Sequence, residues 1–155
     1  MNSEFSYRID TEQFDRLIGE GEAARRARDF DRCIVLYEEA VALYRGEFMQ
    51  GSYDDWVEDQ RSYYREQYLR MLESLAAVAE QKQEFARAMD LAQRILRDDP
   101  FREDIHCLVM RSQAALGNRV AVKEQYEALR TLLQKELGVE PALQTQKAYK
   151  ELLGH

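Results

Sequence analysis

The residues of this sequence that could do chemistry are few and lie apart from one another. His106 is the only histidine before the C-terminal residue, and Glu103 precedes it by three positions, so the two side chains could meet on a helix surface. Such a pair could act as a general base or as a pH sensor. The sequence supplies no nucleophile motif and no phosphate-binding glycine loop to complete a catalytic site. We therefore interpret His106 as structural, either in an ion pair at a helix start or in a buried hydrogen bond.

Paired carboxylates and cysteines give no stronger candidates for a catalytic or metal site. The aspartate pairs at 54–55 and 98–99 lie where a helix is expected to begin and to end, which explains them better than acid-base chemistry does. Cys33 and Cys107 each fall within an apolar helical pattern, which predicts buried free thiols and neither a disulfide nor a zinc site. The sequence thus predicts no enzyme activity, no cofactor and no metal.

The composition of the chain narrows both the fold class and the partners. Its 155 residues include only 7 Gly and 2 Pro, with 45% hydrophobic and 33% charged residues, which favours a helical globular protein. The formal net charge of −7 argues against direct DNA binding by this chain. Since the N-terminus lacks the features of a signal peptide and no apolar stretch is long enough to span a bilayer, we expect a cytoplasmic protein without membrane contacts.

The spacing of apolar residues predicts seven helices. The first is expected from Thr11, with Asp10 as its N-cap, to about Arg28, and the second begins directly after Asp29. A loop with two glycines follows at 45–53. The later helices are bounded by acidic residues, proline or glycine, and they cover about 54–82, about 84–98, a segment ending at Gly117, a segment ending at Gly138 and a short last segment from about Leu143 to Leu153.

A repeated pattern arranges these helices in pairs. The apolar positions that begin at Phe30 and at Phe85 have the same offsets of 0, 3, 4, 7, 10 and 11, and Val122 lies 34 residues after the matching Ala88. A period of 34 residues is that of a tetratricopeptide repeat. The sequence therefore predicts an all-α, tetratricopeptide-like superhelical array of about seven helices, with three helix pairs and a terminal helix. The larger distance of 55 residues between the first two copies indicates an insertion around 45–53.

A set of residues spread along the chain carries a family resemblance. In order, they are Asp10, Phe14, Tyr44-Arg45-Gly46, Trp56, Arg61, Asp99-Pro100-Phe101, Glu103, His106, Met110, Gly117, Tyr126, Glu136-Leu137-Gly138, Pro141 and Thr145. Their order and spacing resemble the bacterial transcriptional activator domain, the tetratricopeptide-like module of antibiotic-biosynthesis regulators. The resemblance implies that residues 10–155 form the bacterial transcriptional activator domain and that residues 1–9 are an N-terminal tail or junction remnant. The sequence departs from the family at Ala142, where a capping Ser or Asp is common, and at Lys123, where an apolar residue is common.

The resemblance implies a function in regulation through protein contacts. It implies a protein-protein interaction or dimerisation module of a transcription regulator, which itself neither does chemistry nor reads DNA. In the family the module usually follows a winged-helix DNA-binding domain; residues 1–9 are too short to hold one, and Tyr7-Arg8-Ile9 look like the end of its last strand. Expected partners are a DNA-binding domain, the transcription machinery or a second copy in a homodimer. The alternative is a free-standing adaptor or chaperone that binds a peptide in a concave groove.

The candidate partner-binding residues are aromatic or basic, as is common at binding hot spots. Trp56 has a simple structural role, which is to pack the loop 45–53 against the helices. Alternatively, this loop and the neighbouring tyrosines form an exposed aromatic patch, and arginines on the first and fifth helices add positive charge to the groove. The candidate residues are Arg25, Arg28, Tyr53, Trp56, Arg61, Tyr63, Tyr64 and Arg111.

Overall fold

The computed structural model describes residues 3–44 and 55–154, with side chains described at 11–44 and 60–154. These residues form seven α-helices, and no strand occurs among them. The predicted all-α fold with seven helices is confirmed. No helix in the described ranges has the length and apolar character needed to cross a bilayer. The helices are α1 Ser3–Arg26, α2 Phe30–Leu43, α3 Asp55–Gln81, α4 Phe85–Asp98, α5 Glu103–Ala115, α6 Arg119–Leu137 and α7 Leu143–Leu152.

Most helix ends lie where the sequence predicts them. Asp29 is the N-cap of α2, and its carboxylate accepts a hydrogen bond from the backbone N–H of Arg32 at 3.3 Å. Helix α4 ends at Asp98, two residues before Pro100, since the residue before a proline avoids the helical region. Helix α6 ends at Gly138, which has the left-handed conformation with φ of 65° that glycine adopts without strain.

The predicted start of the first helix is wrong. Helix α1 begins at Ser3, so Asp10 lies inside it and is not its N-cap. The segment Tyr7-Arg8-Ile9 is therefore helical and is not the end of a strand. The physical reason is that residues 3–9 contain neither glycine nor proline, so no residue there interrupts a helix, and an aspartate is tolerated in a helix interior at a modest free-energy cost.

The turns that connect the helices of the pairs α1–α2, α3–α4 and α5–α6 share one backbone geometry. In each turn one residue has a positive φ: Arg28 at 60°, Gln83 at 63° and Gly117 at 78°. The backbone N–H of the residue that follows donates to the carbonyl oxygen five positions earlier at 2.8 or 2.9 Å, as in a Schellman motif. The three positive-φ residues are separated by the same 55 and 34 residues as the apolar pattern. The predicted repeat is therefore present in the backbone itself.

The chain divides within α3 into two compact units, Met1–Met71 and Leu72–His155. In the first unit α1 packs against α2, and the core forms around the fully buried Phe14. Its ring contacts Tyr44 and Tyr64 with centroid distances of 5.8 and 5.5 Å. The two helices approach closely at the buried Gly21, because a Cβ atom there would lie 2.6 Å from the ring of Tyr37.

In the second unit, successive helices pack along the chain and the last helix covers the pair before it. Helix α4 packs against α5, α5 against α6, and α7 against both α5 and α6. One core cluster joins α5, α6 and the end of α7, and within it the ring of Tyr126 stacks on the ring of Tyr149 with centroids 3.9 Å apart. The Arg119 guanidinium also donates to the Leu153 carbonyl oxygen. The cluster consists of Cys107, Met110, Val122, Tyr126 and Leu153.

Candidate protein-interaction surface

The structure describes six of the eight predicted partner-binding side chains. Tyr53 lies outside the described residues, as does the side chain of Trp56, whose backbone belongs to α3. Arg25 and Arg28 are exposed at the end of α1 and in the turn after it. Arg61 is half-buried and takes part in contacts within the protein.

The tyrosines of α3 do not form the predicted exposed patch, because Tyr64 is buried. Only 6% of Tyr64 is exposed, its ring lies edge-on to Phe14, and its hydroxyl donates to Oδ2 of Asp15 at 3.0 Å. Tyr63 is 49% exposed and meets the Tyr64 ring at 5.2 Å. Consecutive helix residues point about 100° apart, so two adjacent tyrosines cannot share one face. Tyr68, which also belongs to α3, is half-buried and stacks on Tyr44 with ring centroids 4.1 Å apart.

Arg111 is partly exposed, but its guanidinium group already binds a carboxylate of the same chain. Its Nε and Nη2 atoms donate to both carboxylate oxygens of Glu80 at 2.6 and 3.0 Å. This bidentate pair raises the pKa of the Arg111 guanidinium above its ordinary value, chiefly through the hydrogen bonds to Glu80. The pair connects α3 to α5 within the second unit, which gives Arg111 a structural role.

His106 is a structural residue, and its hydrogen bonds define the role. It is 6% exposed, with Nε2 at 2.8 Å from the Pro100 carbonyl oxygen and Nδ1 at 2.8 Å from Nε2 of Gln125. Because a carbonyl only accepts and an amide N–H donates, the neutral ring with its proton on Nε2 makes both bonds. The interpretation as a buried hydrogen bond is confirmed.

The expected pairing of Glu103 with His106 does not occur. Oε1 of Glu103 instead accepts from the backbone N–H of Ala142 at 2.9 Å, at the start of α7. Ala142 has no capping side chain of its own. A carboxylate from α5 therefore binds the backbone at a helix start where the family commonly has a capping Ser or Asp.

Both cysteines are free and buried, as predicted. Burial raises the pKa of the Cys33 and Cys107 thiols above the ordinary range, which keeps them protonated and unreactive at neutral pH. Among the described residues no group of histidine, cysteine and acidic side chains has the arrangement needed to bind a metal ion.

One end of the α1–α2 pair exposes arginines around an aromatic ring. We call these residues the Arg/Phe turn: Arg25 and Arg26 in the last turn of α1, Arg28 after it, and Phe30 and Arg32 at the start of α2. All five are exposed, and Phe30 is 57% exposed although the apolar pattern places it on the buried face. The reason is its position as the first residue of α2, at the tip of the hairpin, where little of α1 can cover it.

Sequence reasoning missed a second exposed apolar group, between α6 and α7. Leu137, Val139 and Leu143, here called the α6–α7 apolar residues, are 54%, 46% and 82% exposed. The apolar pattern identifies Leu143 only as the start of the last helix, because periodicity does not show where a helix extends beyond its neighbour. The available signal was the occurrence of three aliphatic residues within and beside a connection that also contains Gly138 and Pro141.

Comparisons with known proteins agree with this architecture. Residues 9–153 match the family described as bacterial transcriptional activator domain. The transcriptional regulator RedD of Streptomyces coelicolor is 28% identical over 150 residues, which cover 94% of this chain but 41% of RedD. A solved C-terminal TPR-containing domain, from a protein described as an FK506-binding protein of Plasmodium falciparum, has a TM-score of 0.61 at 16% identity and covers 95% of this chain and 90% of that one. The fold is therefore tetratricopeptide-like, and the chain belongs to the bacterial transcriptional activator domain family.

Proposed function

We propose that this domain is a protein-protein interaction module of a bacterial transcription regulator and that it relays regulation without doing chemistry. The observation that carries the proposal is the repeat of three helix pairs with identical turns in a member of a transcriptional activator family. Helical repeats of this kind bury their cores between neighbouring helices and leave turns and outer faces for partners. The partner classes are a DNA-binding domain, the transcription machinery and a second copy of the chain.

Exposed apolar residues support a function in protein contacts. Leu143 is 82% exposed at the start of α7, and Leu137 and Val139 lie within six residues of it in sequence. Aliphatic side chains left in water at a helix connection lower the solubility of a free domain, and burial against a protein partner removes that penalty. Self-association is the simplest contact to test, because it needs no other component.

Reading of DNA by this chain is not part of the proposal. Binding along a phosphate backbone requires lysines and arginines to outnumber acidic residues on a common face. The chain has 22 basic and 29 acidic residues. We therefore propose that another domain or protein supplies the contact with DNA.

The test is sedimentation velocity of the purified domain over a range of concentrations. We expect reversible self-association that Leu143→Ser weakens, because serine removes the most exposed aliphatic side chain. Leu116→Ser is the matched control, since Leu116 is 56% exposed at the opposite end of the α5–α6 pair.

Two outcomes in which the domain stays monomeric would count against self-association. A monomer at every concentration that instead binds peptides would favour the alternative of a free-standing adaptor. A monomer that binds no peptide, no DNA-binding domain encoded with it and no component of RNA polymerase would overturn the proposed interaction function.

A further inference from the structure

We infer that the Arg/Phe turn binds an acidic protein segment that also carries an apolar side chain. The inference rests on the proposed interaction function and names the chemistry of one partner at one place. Four guanidinium groups and one exposed aromatic ring lie within eight consecutive residues, 25–32.

The arginines of the Arg/Phe turn have no carboxylate partner among the described residues. Several other arginines of the described chain are paired with a carboxylate, as Arg94 is with Asp90 and Arg111 with Glu80. The carboxylates nearest in sequence serve other groups: Asp29 caps α2, and Glu22 accepts the Tyr37 hydroxyl at 2.6 Å. Asp31 remains, so the turn keeps a positive excess in a chain whose net charge is −7.

Stabilisation of the helix dipole explains only part of this cluster. Cations near a helix C-terminus are favourable, which accounts for Arg25 and Arg26 at the end of α1. Arg28 lies beyond that helix, and Arg32 lies in the first turn of α2, where the dipole opposes a positive charge. At least two of the four arginines therefore lie at positions that the stability of the helices does not favour.

The backbone conformation of Arg28 also shows that the stability of the fold does not favour an arginine at this position. Its φ of 60° is in the left-handed region, where a residue with a Cβ atom is strained and glycine is not. The equivalent residue is Gly117 in the α5–α6 turn and the uncharged Gln83 in the α3–α4 turn. A long cationic side chain thus stands at a position where glycine would be more stable.

Phe30 defines the second requirement of the partner. The equivalent Phe85 at the start of α4 is half-buried, whereas Phe30 is 57% exposed between the arginines. A phosphate backbone would satisfy the guanidinium groups but would leave this ring in water and would be repelled by Asp31. An acidic segment with a leucine or phenylalanine provides both carboxylates for the arginines and an apolar group for the ring.

The experiment measures binding to the full chain by fluorescence anisotropy. The probe is a short fluorescein-labelled peptide in which acidic residues alternate with leucine and phenylalanine. A second peptide carries serine in place of the leucines and phenylalanines, and a labelled DNA duplex is the third probe. The variants are Arg28→Gly, Phe30→Ser and the double variant, and Arg97→Ser is the control because Arg97 is an exposed arginine in the last turn of α4.

We expect the first peptide to bind best. The double variant should weaken its binding about tenfold, because the two substitutions remove one ionic and one apolar contact at an exposed site. Arg97→Ser should leave the affinity within about twofold, because it removes the same charge from a helix that is not part of the Arg/Phe turn. Arg28→Gly should also raise the melting temperature, because it removes the left-handed strain. A loss of affinity in a more stable variant cannot result from unfolding.

Three results would overturn the inference: equal binding of the two peptides, tighter binding of the DNA, or unchanged affinity in the double variant. The proposed interaction function has its own test in self-association. If Leu143→Ser abolishes a dimer while the Arg/Phe turn binds nothing, the partner assigned to the turn is wrong and the interaction function stands.

Discussion

At the scale of single residues, Gly21 controls how closely α1 approaches α2. We predict that Gly21→Ala destabilises the protein by about 1–3 kcal/mol, because the added methyl group would lie 2.6 Å from the Tyr37 ring and the ring must move. The Tyr37 hydroxyl is fixed by its hydrogen bond to Glu22 at 2.6 Å, which limits that movement. Urea unfolding measures the change.

Gly19 provides the matched control for this prediction. It lies in the same helix two residues earlier, and a Cβ atom there would have no neighbour within 4 Å. Gly19→Ala should therefore stabilise the protein by about 0.5–1 kcal/mol through helix propensity. If the two variants have the same stability, the contact between Gly21 and Tyr37 does not limit the helix spacing.

Buried phenol and thiol groups predict a loss of stability at alkaline pH. Burial raises the pKa of Tyr37, and hydrogen bonding to Glu22 adds to the effect; burial likewise raises the pKa of the Cys33 and Cys107 thiols. A raised pKa means that the folded state holds the proton more tightly, so this stability is complete below the unfolded values and falls as pH rises above about 8.5 for the thiols and about 10 for the phenol. Thermal melts from neutral to alkaline pH test this.

Tyr37→Phe separates the phenol from the thiols. The variant should lose about 1 kcal/mol at neutral pH with its hydrogen bond to Glu22, and its melting temperature should fall less steeply above about pH 10. An unchanged alkaline slope would show that Tyr37 does not contribute.

At the scale of secondary-structure elements, we predict that introducing glycine into one turn between paired helices stabilises the protein and that removing glycine from another destabilises it. Gln83→Gly should stabilise the protein by about 0.5–1 kcal/mol, because φ of 63° strains a residue with a Cβ atom, whereas Gly117→Ala should destabilise it by about 1–2 kcal/mol. Differential scanning calorimetry gives both values. Destabilisation by Gln83→Gly would mean that the glutamine side chain contributes more to stability than its left-handed backbone conformation costs.

The sequence determines the helices more clearly than it determines their ends and exposed faces. Periodicity predicts the helices and the repeat because apolar residues must return every three or four positions to face a neighbour. It cannot show that Phe30 lies at a tip, or that Arg28 adopts a conformation usually held by glycine. Gly117 and Gly138 reveal their turns because glycine is itself the signal.

The candidate site was less predictable than the fold, since it depends on contacts between distant residues. Tyr64 faces Phe14 and Asp15 from 49 or more positions away, and Arg111 binds Glu80 from 31 positions away. Local spacing does not encode such pairs. Among the predicted residues, Arg25, Arg28 and Tyr63 are exposed.

At the scale of the whole molecule, the acidic net charge predicts how the chain behaves with DNA. In a gel-shift assay at low salt, the isolated chain should give no sequence-specific retardation, because a net charge of −7 opposes approach to a polyanion. An excess of unrelated unlabelled duplex should remove any weak shift. Retardation of one promoter that survives this competitor would contradict the prediction.

The common geometry of the three turns separates the backbone that forms each turn from the side chains that the turn exposes. The Schellman hydrogen bonds use backbone atoms only, so the chain path at a turn does not depend on which side chains it presents. Residues 82–85 could therefore be exchanged for residues 27–30 without disturbing the helices on either side. In evolution, the side chains of one turn could therefore change while the fold stays the same, so that the exposed surface of the domain can diverge without loss of its ability to fold.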